Sequence, residues 1–230
     1  MELKTALIVG TGAGLSASLA RLFARNGLQV AMASRNPDRL AKLAEETAGV
    51  TFACEATEPE EVAALFDVVL ATQGVPDIVV YNASARARGP VTDLEPAEVA
   101  RAIAVSAYGG FLVAQQAARH MVQRGSGAIL LTGASASVKG YPNSSAFAMG
   151  KFALRGLAQS MAREMSPKGV HVAHFVIDGA IRSEGRPDPN DSPDSTLDPD
   201  DIADTYWHVA NQKRSAWTWE VELRPWVEKF

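Results

Sequence analysis

Ala6-Leu7-Ile8-Val9-Gly10-Thr11-Gly12-Ala13-Gly14-Leu15-Ser16 joins an apolar run to a helical pattern through three glycines. A strand that enters a helix through a tight glycine turn lets backbone N–H groups approach a pyrophosphate, and the helix N-terminus adds a partial positive charge. Glycine turns that bind nothing also occur, but the alternation of strand and helix patterns that follows favours binding. The stretch therefore predicts a phosphate-binding turn.

Short apolar runs alternate with longer helical patterns along the rest of the chain. The predicted strands are residues 6–9, 30–33, 50–53, 77–81, 128–132 and 170–177, with a final strand within 215–230. A helix is predicted over 148–165, ended by Pro167 and Gly169. Because most runs are continuously apolar, both faces of the sheet should be buried. We expect one doubly wound α/β domain over 1–230, a Rossmann-type parallel sheet with helices on both faces.

Composition points to an ordinary soluble protein that handles small molecules. The chain has 230 residues, 47% of them hydrophobic and 21% charged, with a net charge of −4. This balance argues against a general footprint for nucleic acid or for an anionic membrane. The lone cysteine, Cys54, excludes an internal disulfide and a CxxC motif. No signal peptide and no apolar run of membrane-spanning length is evident, so we expect a cytoplasmic protein.

The glycine turn resembles that of the short-chain dehydrogenase/reductase family, whose fingerprint is Gly-x-x-x-Gly-x-Gly after the first strand. Gly10 and Gly14 match it, whereas Ser16 replaces the third glycine and Val9 the usual preceding threonine. We expect the Ser16 hydroxyl to remain able to donate to a phosphate. The resemblance implies that NAD(P) is bound by these turn residues: Gly10, Gly12, Gly14 and Leu15.

The end of the second predicted strand bears on the choice of coenzyme. A carboxylate there would hydrogen-bond the ribose of NAD, whereas an arginine would favour the extra phosphate of NADP. This chain has Ser34-Arg35 at that point. The pair predicts NADP (NADPH) rather than NAD, the alternative being an ordinary solvated arginine.

Further segments extend the resemblance over almost the whole chain. Asn82-Ala83-Ser84 resembles the family's Asn-Ala-Gly segment, with serine in place of the glycine. Glu55-Ala56 stands where the family has an acidic residue near the adenine, and Asp178-Gly179-Ala180-Ile181-Arg182-Ser183 where it has Pro-Gly followed by a threonine near the nicotinamide amide. The resemblance implies coenzyme contacts from these segments, namely Glu55, Ala56, Asn82, Ala83, Ser84, Gly179, Ile181 and Ser183.

The family's catalytic positions are mostly replaced. In the family a tyrosine and a lysine four residues later share the proton chemistry, and here those positions are Phe147 and Lys151. The catalytic serine aligns with Ala134, next to Ser135, and the helix asparagine with Ser106. Lys151 is thus the one residue kept, and the family also uses it to bind the nicotinamide ribose. Loss of a general acid raises the barrier by roughly 3–5 kcal/mol unless another donor substitutes.

Several hydroxyl groups are candidate substitutes for the missing phenol. Tyr141, six residues before Phe147, is the leading hypothesis for a relocated proton donor. The other candidates are Tyr108, Ser135 and Ser137. The four histidines, His120, His171, His174 and His208, lack metal-ligand spacing, so we expect no metal site.

The residues thus favour an NADP-dependent oxidoreductase of the short-chain type, acting on a carbonyl or alcohol of a small molecule with an atypical proton donor. The alternative is a coenzyme-binding protein without turnover, in a regulatory or structural role; non-redox chemistry in the same cleft is a weaker possibility. The resemblance implies a homodimer or homotetramer paired through the helices that hold Ser106 and Lys151. Residues 183–201, rich in proline and aspartate, are predicted to form a mobile loop near the substrate cleft, or a mere exposed connection.

Overall fold

A computed structural model describes residues 3–183, 185–189 and 192–228. Within these residues, seven strands form one parallel sheet. The strands are β1 Thr5–Val9, β2 Gln29–Ser34, β3 Val50–Ala53, β4 Ile78–Tyr81, β5 Gly127–Thr132, β6 Val170–Ile177 and β7 Glu220–Leu223. Their spatial order is β3-β2-β1-β4-β5-β6-β7. The predicted parallel α/β sheet is confirmed.

Helices cover both faces of the sheet. They are α1 Leu15–Arg25, α2 Ala41–Thr47, α3 Pro59–Gln73, α4 Pro96–Ile103, α5 Gly109–Arg124, α6 Ser145–Met165 and α7 Pro199–Ala210. One apolar cluster joins the sheet to α3, α5 and α6 through residues such as Phe66, Val113 and Leu154, and the other joins it to α1 and α7 through Phe23 and Tyr206. Two cores on opposite faces are the mark of a doubly wound fold.

The chain forms one long helix over residues 96–124, in which a π-helical turn, Ala104–Tyr108, connects α4 to α5. By length and mean hydropathy alone this helix is long and apolar enough to cross a membrane, although the sequence predicts no apolar run of membrane-spanning length. Its alanines raise the mean hydropathy, while glycines, glutamines and arginines interrupt the large apolar residues. Val113, Ala117 and Met121 are buried against the sheet, as in the core helix of a globular domain.

The strand order places a crevice between β1 and β4. The chain runs outward from β1 to β2 and β3 on one side, then returns to β4 and continues to β5, β6 and β7 on the other. Ligands of open α/β sheets bind beyond the carboxyl ends of the strands at such a reversal. The turn after β1 begins at Gly10 and the segment after β4 at Asn82, so the sequence motifs meet at this crevice.

Most predicted strand bounds agree with the structure to within one residue, the helix predicted over 148–165 begins three residues earlier at Ser145, and two further segments differ in extent. The final strand covers only Glu220–Leu223, because Trp217 instead stacks on His171 with ring centroids 4.8 Å apart; residues 229–230 lie outside the described part.

The predicted loop 183–201 ends three residues early, since α7 begins at Pro199 with Asp198 capping it. Its aspartates Asp188, Asp194 and Asp198 form ion pairs with Arg182. Residues 184, 190 and 191 lie outside the described part, and the loop's mobility stays a prediction.

Asp77, at the amino end of the sheet, offers a test of how the first and fourth strands are joined. Its carboxylate accepts hydrogen bonds from the backbone N–H groups of Lys4 and Thr5, at 2.7 and 3.1 Å, and forms a 3.0 Å ion pair with Arg124. We expect Asp77→Ala to lower the free energy of unfolding by about 2–4 kcal/mol, because it leaves a charge and buried N–H groups without their partner. Urea denaturation measures this.

The matched control is Asp67→Ala on the exposed face of α3, which should change the free energy of unfolding by less than about 0.5 kcal/mol. Equal stability of the two variants would show that the Asp77 contacts contribute nothing.

Candidate functional site

The turn after β1 is packed tightly between the end of β2 and the segment after β4. Gly10 has φ of +87°, and the N–H groups of Gly10 and Thr11 both donate to the carbonyl of Ala33, at 3.0 Å. A Cβ atom on Gly10 would lie 2.6 Å from the Cα of Ala83. Only glycine satisfies both the positive φ and this close approach. The turn is therefore packed against the segment that follows β4.

The next part of the turn is open. A Cβ atom added at Gly12 or at Gly14 would meet no described atom within 4 Å. Gly14 is the N-cap of α1, and no side chain of the described residues caps that helix. The first N–H groups of α1 therefore remain available to an anionic ligand, in the place where the sequence predicts a diphosphate.

Ser16 has a different role from the expected one. Its side chain is buried, with the residue 1% exposed. The hydroxyl donates to the carbonyl of Gly10, at 3.1 Å, and accepts from the side-chain amide of Asn82, at 2.6 Å. The expectation that this hydroxyl donates to a phosphate is wrong, because its proton is committed to Gly10. Ser16 instead ties the glycine turn to the segment after β4.

A cavity of about 500 Å³ opens at this crevice, and we call it the coenzyme cavity. It brings together many of the predicted coenzyme-binding residues: Gly10, Gly12, Ser34, Arg35, Glu55, Ala56, Asn82, Ala83 and Ser84. Residues that sequence reasoning missed also line it: Thr11, Ala13, Asn36, Arg39, Leu40, Cys54 and Val105. Most of these are neighbours of the motif residues, and Arg39 could have been found as a second cation four residues after Arg35.

The outer end of the coenzyme cavity carries positive charge. Arg35 is exposed and its guanidinium lies 4.0 Å from the Glu55 carboxylate, while Arg39 lines the same wall. The hydroxyl of Ser34 is buried there without a hydrogen-bond partner among the described residues. Buried polar groups normally have partners, so this hydroxyl is suited to a ligand. Two guanidinium groups and a free hydroxyl fit a phosphate group.

A second cavity of about 300 Å³, which we call the cleft, shares Asn82 and Ser84 with the coenzyme cavity. Four further predicted residues line it: Leu15, Lys151, Gly179 and Ile181. Ser183 does not line it; its backbone pairs with that of Arg186, which does. The lining residues that sequence reasoning left unassigned include Arg86, Thr132, Gly133 and Arg186.

Lys151 is a buried lysine of the cleft, and its pKa is strongly lowered. It is 2% exposed, and its Nζ donates to the carbonyl of Thr132 at 2.7 Å. Burial and, to a smaller extent, the nearby charge of Arg86 together lower its pKa to about 7. The ammonium group therefore holds a proton that it can give up near neutral pH.

Phe147 lies between two cations in the wall of the cleft. The guanidinium carbon of Arg86 is 4.1 Å from the centre of its ring, and Nζ of Lys151 is 5.8 Å from it. Both distances fall within the range of cation–π attraction. The ring thus supports two positive groups at the position where the family resemblance places a phenol.

The other catalytic candidates do not line the cleft. Ser106 is buried in the π-helical turn, and its hydroxyl contacts the backbone of Ala85 at 3.4 and 3.5 Å. Ser135 begins a short 3₁₀ helix and lines neither cavity. Tyr141 is 43% exposed and is likewise absent from both linings. The structure therefore does not bring these three side chains together with Lys151.

The remaining candidates also have structural partners. The hydroxyl of Ser137 accepts from the N–H of Ala134, and Tyr108 stacks on Phe111 at the surface. His171 is hydrogen-bonded to the carbonyl of Thr218 and His174 to the carboxylate of Glu220. Over the described ranges, no group of three or more His, Cys, Asp or Glu residues is placed to hold a metal ion.

Comparison with known proteins gives independent evidence about the family of this chain. A family model described as short chain dehydrogenase matches residues 4–190. An uncharacterized oxidoreductase of Staphylococcus aureus (strain N315) is 27% identical over 228 residues, which cover 96% of this chain and 97% of that protein.

Solved structures agree. A short-chain dehydrogenase from Rhodopseudomonas palustris is 32% identical with a TM-score of 0.84, covering 97% of this chain and 99% of its own. A metagenomic short-chain oxidoreductase in complex with NADP is 27% identical with a TM-score of 0.85, covering 96% and 97%.

The open space at Gly12 supplies a test of the coenzyme cavity. We expect Gly12→Val to weaken NADPH binding at least about tenfold, because the branched side chain would occupy space beside the N-terminus of α1. Coenzyme fluorescence titration measures the affinity, and thermal unfolding checks that the fold is kept.

Gly140→Val is the control, since Gly140 also has open space but lines neither cavity. An unchanged affinity in a folded Gly12→Val protein would place the coenzyme elsewhere.

Proposed function

This chain belongs to the short-chain dehydrogenase family, and we propose that it is an NADP-preferring oxidoreductase acting on a carbonyl or alcohol of a small molecule. The observation that carries the proposal is that two neighbouring cavities share Asn82 and Ser84 in their walls, one lined by the glycine turn and the other by Lys151. Such an arrangement lets one ligand extend from the N-terminus of α1 to a polar cleft. When bound, the reduced coenzyme would supply the hydride.

The preference for NADP rests on charge. Arg35 and Arg39 flank the outer end of the coenzyme cavity, and the unpartnered hydroxyl of Ser34 lies between the sheet and that end. A ribose phosphate would give these groups an anionic partner. Glu55 is close to Arg35 but 4.0 Å from it, so the guanidinium keeps donors free for a phosphate. The related metagenomic oxidoreductase was solved with NADP.

We infer that Lys151 supplies the proton that a phenol would otherwise give. Phe147 has no proton to donate, and Tyr141 does not reach the cleft lining. As a carbonyl carbon accepts hydride, its π bond opens and the oxygen gains negative charge. That oxygen takes a proton from Nζ of Lys151, directly or through a water molecule, and the neutral amine that remains is reprotonated from solvent. The Thr132 carbonyl keeps Nζ in place.

The pH profile tests this role. Because the pKa of Lys151 is lowered to about 7, the ammonium form should dominate below that pH and be lost above it. We expect the rate constant for carbonyl reduction to be highest below about pH 7 and to fall about tenfold per pH unit well above it. Single-turnover NADPH oxidation across pH 6–9 measures the profile, with coenzyme affinity followed in parallel. A flat profile would exclude Lys151 as the donor.

A second test restores the phenol. We expect Phe147→Tyr to raise the rate of carbonyl reduction at least about tenfold, because it adds a hydroxyl donor beside Lys151. Steady-state turnover over a panel of carbonyl compounds measures the effect. Val68→Tyr, at an exposed position on α3, is the control and should change nothing.

If neither the parent chain nor Phe147→Tyr oxidises NADPH with any carbonyl compound, the alternative function is favoured, that of a coenzyme-binding protein without turnover.

We propose that the protein assembles as a homodimer or homotetramer through α5 and α6. Large apolar side chains are exposed on these helices and on the π-helical turn before α5, namely Tyr108, Phe111, Met149 and Phe152. Burying them against a second copy would remove an exposed apolar surface. Localisation to the cytoplasm stays a prediction.

A further inference from the structure

The cleft carries an unusual concentration of positive charge. Arg86, Lys151 and Arg186 all line it, and none of the lining residues is an aspartate or a glutamate within the part of the chain that the structure describes. Because the cleft measures about 300 Å³, these three cations face a small volume. Charges of one sign that converge on a concave site attract a ligand of the opposite sign.

Both arginines are held in place by contacts that leave their donors free. The Arg86 guanidinium lies on the Phe147 ring, a contact that uses its flat face rather than its N–H groups. Arg186 is anchored through its backbone, whose N–H and carbonyl pair with those of Ser183 at 2.9 and 3.1 Å. Arg86, held by the flat face of its guanidinium, can present its N–H groups to a ligand with little further loss of side-chain freedom, whereas only the backbone of Arg186 is held and its side chain is exposed.

Nearby carboxylates do not neutralise this pair. Three described acidic residues after Arg186 are engaged elsewhere, since Asp188, Asp194 and Asp198 all pair with Arg182. Among the described residues, neither Arg86 nor Arg186 forms an ion pair. One segment thus contains Arg182, which is paired with aspartates, and four residues later Arg186, which lines the cleft and forms no ion pair with a described residue.

The two arginines are close enough to influence each other. The pKa of Arg86 lies below its usual value, first because its guanidinium is partly desolvated and then because it faces the charges of Arg88 and Arg186. The pKa of Lys151 is lowered in part by Arg86. An anion bound among these groups would relieve the repulsion.

We propose that Arg86 and Arg186 bind an oxyanionic group of the substrate, a carboxylate or a phosphate, so that the protein acts on small anionic carbonyl compounds or their alcohols. This proposal rests on the proposed function, because it takes the bound anion to be part of the substrate of an oxidoreductase. Carboxylate and phosphate oxygens match the planar N–H fork of a guanidinium. The coenzyme's diphosphate would not occupy this site, because the N-terminus of α1 would bind it in the coenzyme cavity.

A binding experiment tests the anion site without any turnover. Oxalate and inorganic phosphate are titrated calorimetrically into the coenzyme-free protein, and into the variants Arg86→Gln, Arg186→Gln and Arg88→Gln. We expect at least one of the two anions to bind, with an affinity that falls about tenfold or more in each of the first two variants. Arg88→Gln is the matched control, since Arg88 is close in sequence but does not line the cleft. No binding of either anion, or binding unaffected by both arginine variants, would overturn the proposal.

A kinetic experiment identifies the anion and separates this inference from the proposed function. Reduction by NADPH is compared for a 2-oxo acid, its neutral methyl ester and a carbonyl compound that carries a phosphate. We expect kcat/KM to favour one anionic compound over the ester about tenfold or more, and Arg86→Gln to bring the ratio of the two kcat/KM values close to one. A preferred ester would overturn the inference and leave the oxidoreductase function intact. Anion binding without NADPH oxidation by any compound would instead contradict the function alone.

Discussion

The hydroxyl of Ser16 joins the two halves of the site, since it donates to the Gly10 carbonyl and accepts from the Asn82 amide. Together with the close approach of Gly10 to Ala83, this contact holds the turn after β1 against the segment after β4. The coenzyme cavity and the cleft both include Asn82 in their walls. Their relative position therefore depends on a short hydrogen-bonded bridge between neighbouring parallel strands.

The electrostatics of the cleft depend on a buried lysine without an anionic partner among the described residues. Lys151 has the neutral carbonyl of Thr132 as its hydrogen-bond acceptor, and burial together with the charge of Arg86 lowers its pKa to about 7. The ring of Phe147 supports Arg86, which brings a second charge to the wall. A buried cation without an anionic partner costs stability. The fold thus tolerates an unfavourable charge arrangement that a bound anion would relieve, as is common at functional sites.

Much of the fold was predictable from the sequence, and the site only in part. The strands 50–53 and 170–177 have the predicted bounds, because turn residues border them and packing agrees with local propensity. The role of Ser16 was not predictable. The sequence places its hydroxyl near a phosphate-binding turn, but it does not show that the carbonyl of Gly10 lies within hydrogen-bond distance of that hydroxyl. Arg86 and Arg186 escaped notice because they are a hundred residues apart and only the sheet topology brings them to one cleft. Likewise, the sequence of this acidic segment does not indicate that Arg182 pairs with Asp188 and Asp198.

The central claim is that N–H groups at the start of α1 hold the diphosphate of a nicotinamide coenzyme. Isothermal titration calorimetry of the purified chain with NADPH, NADP⁺, NADH and NAD⁺ tests it most directly. We expect saturable binding of one NADPH per chain, tighter than that of NADH. A folded protein that gives no heat of binding with any of the four would contradict it.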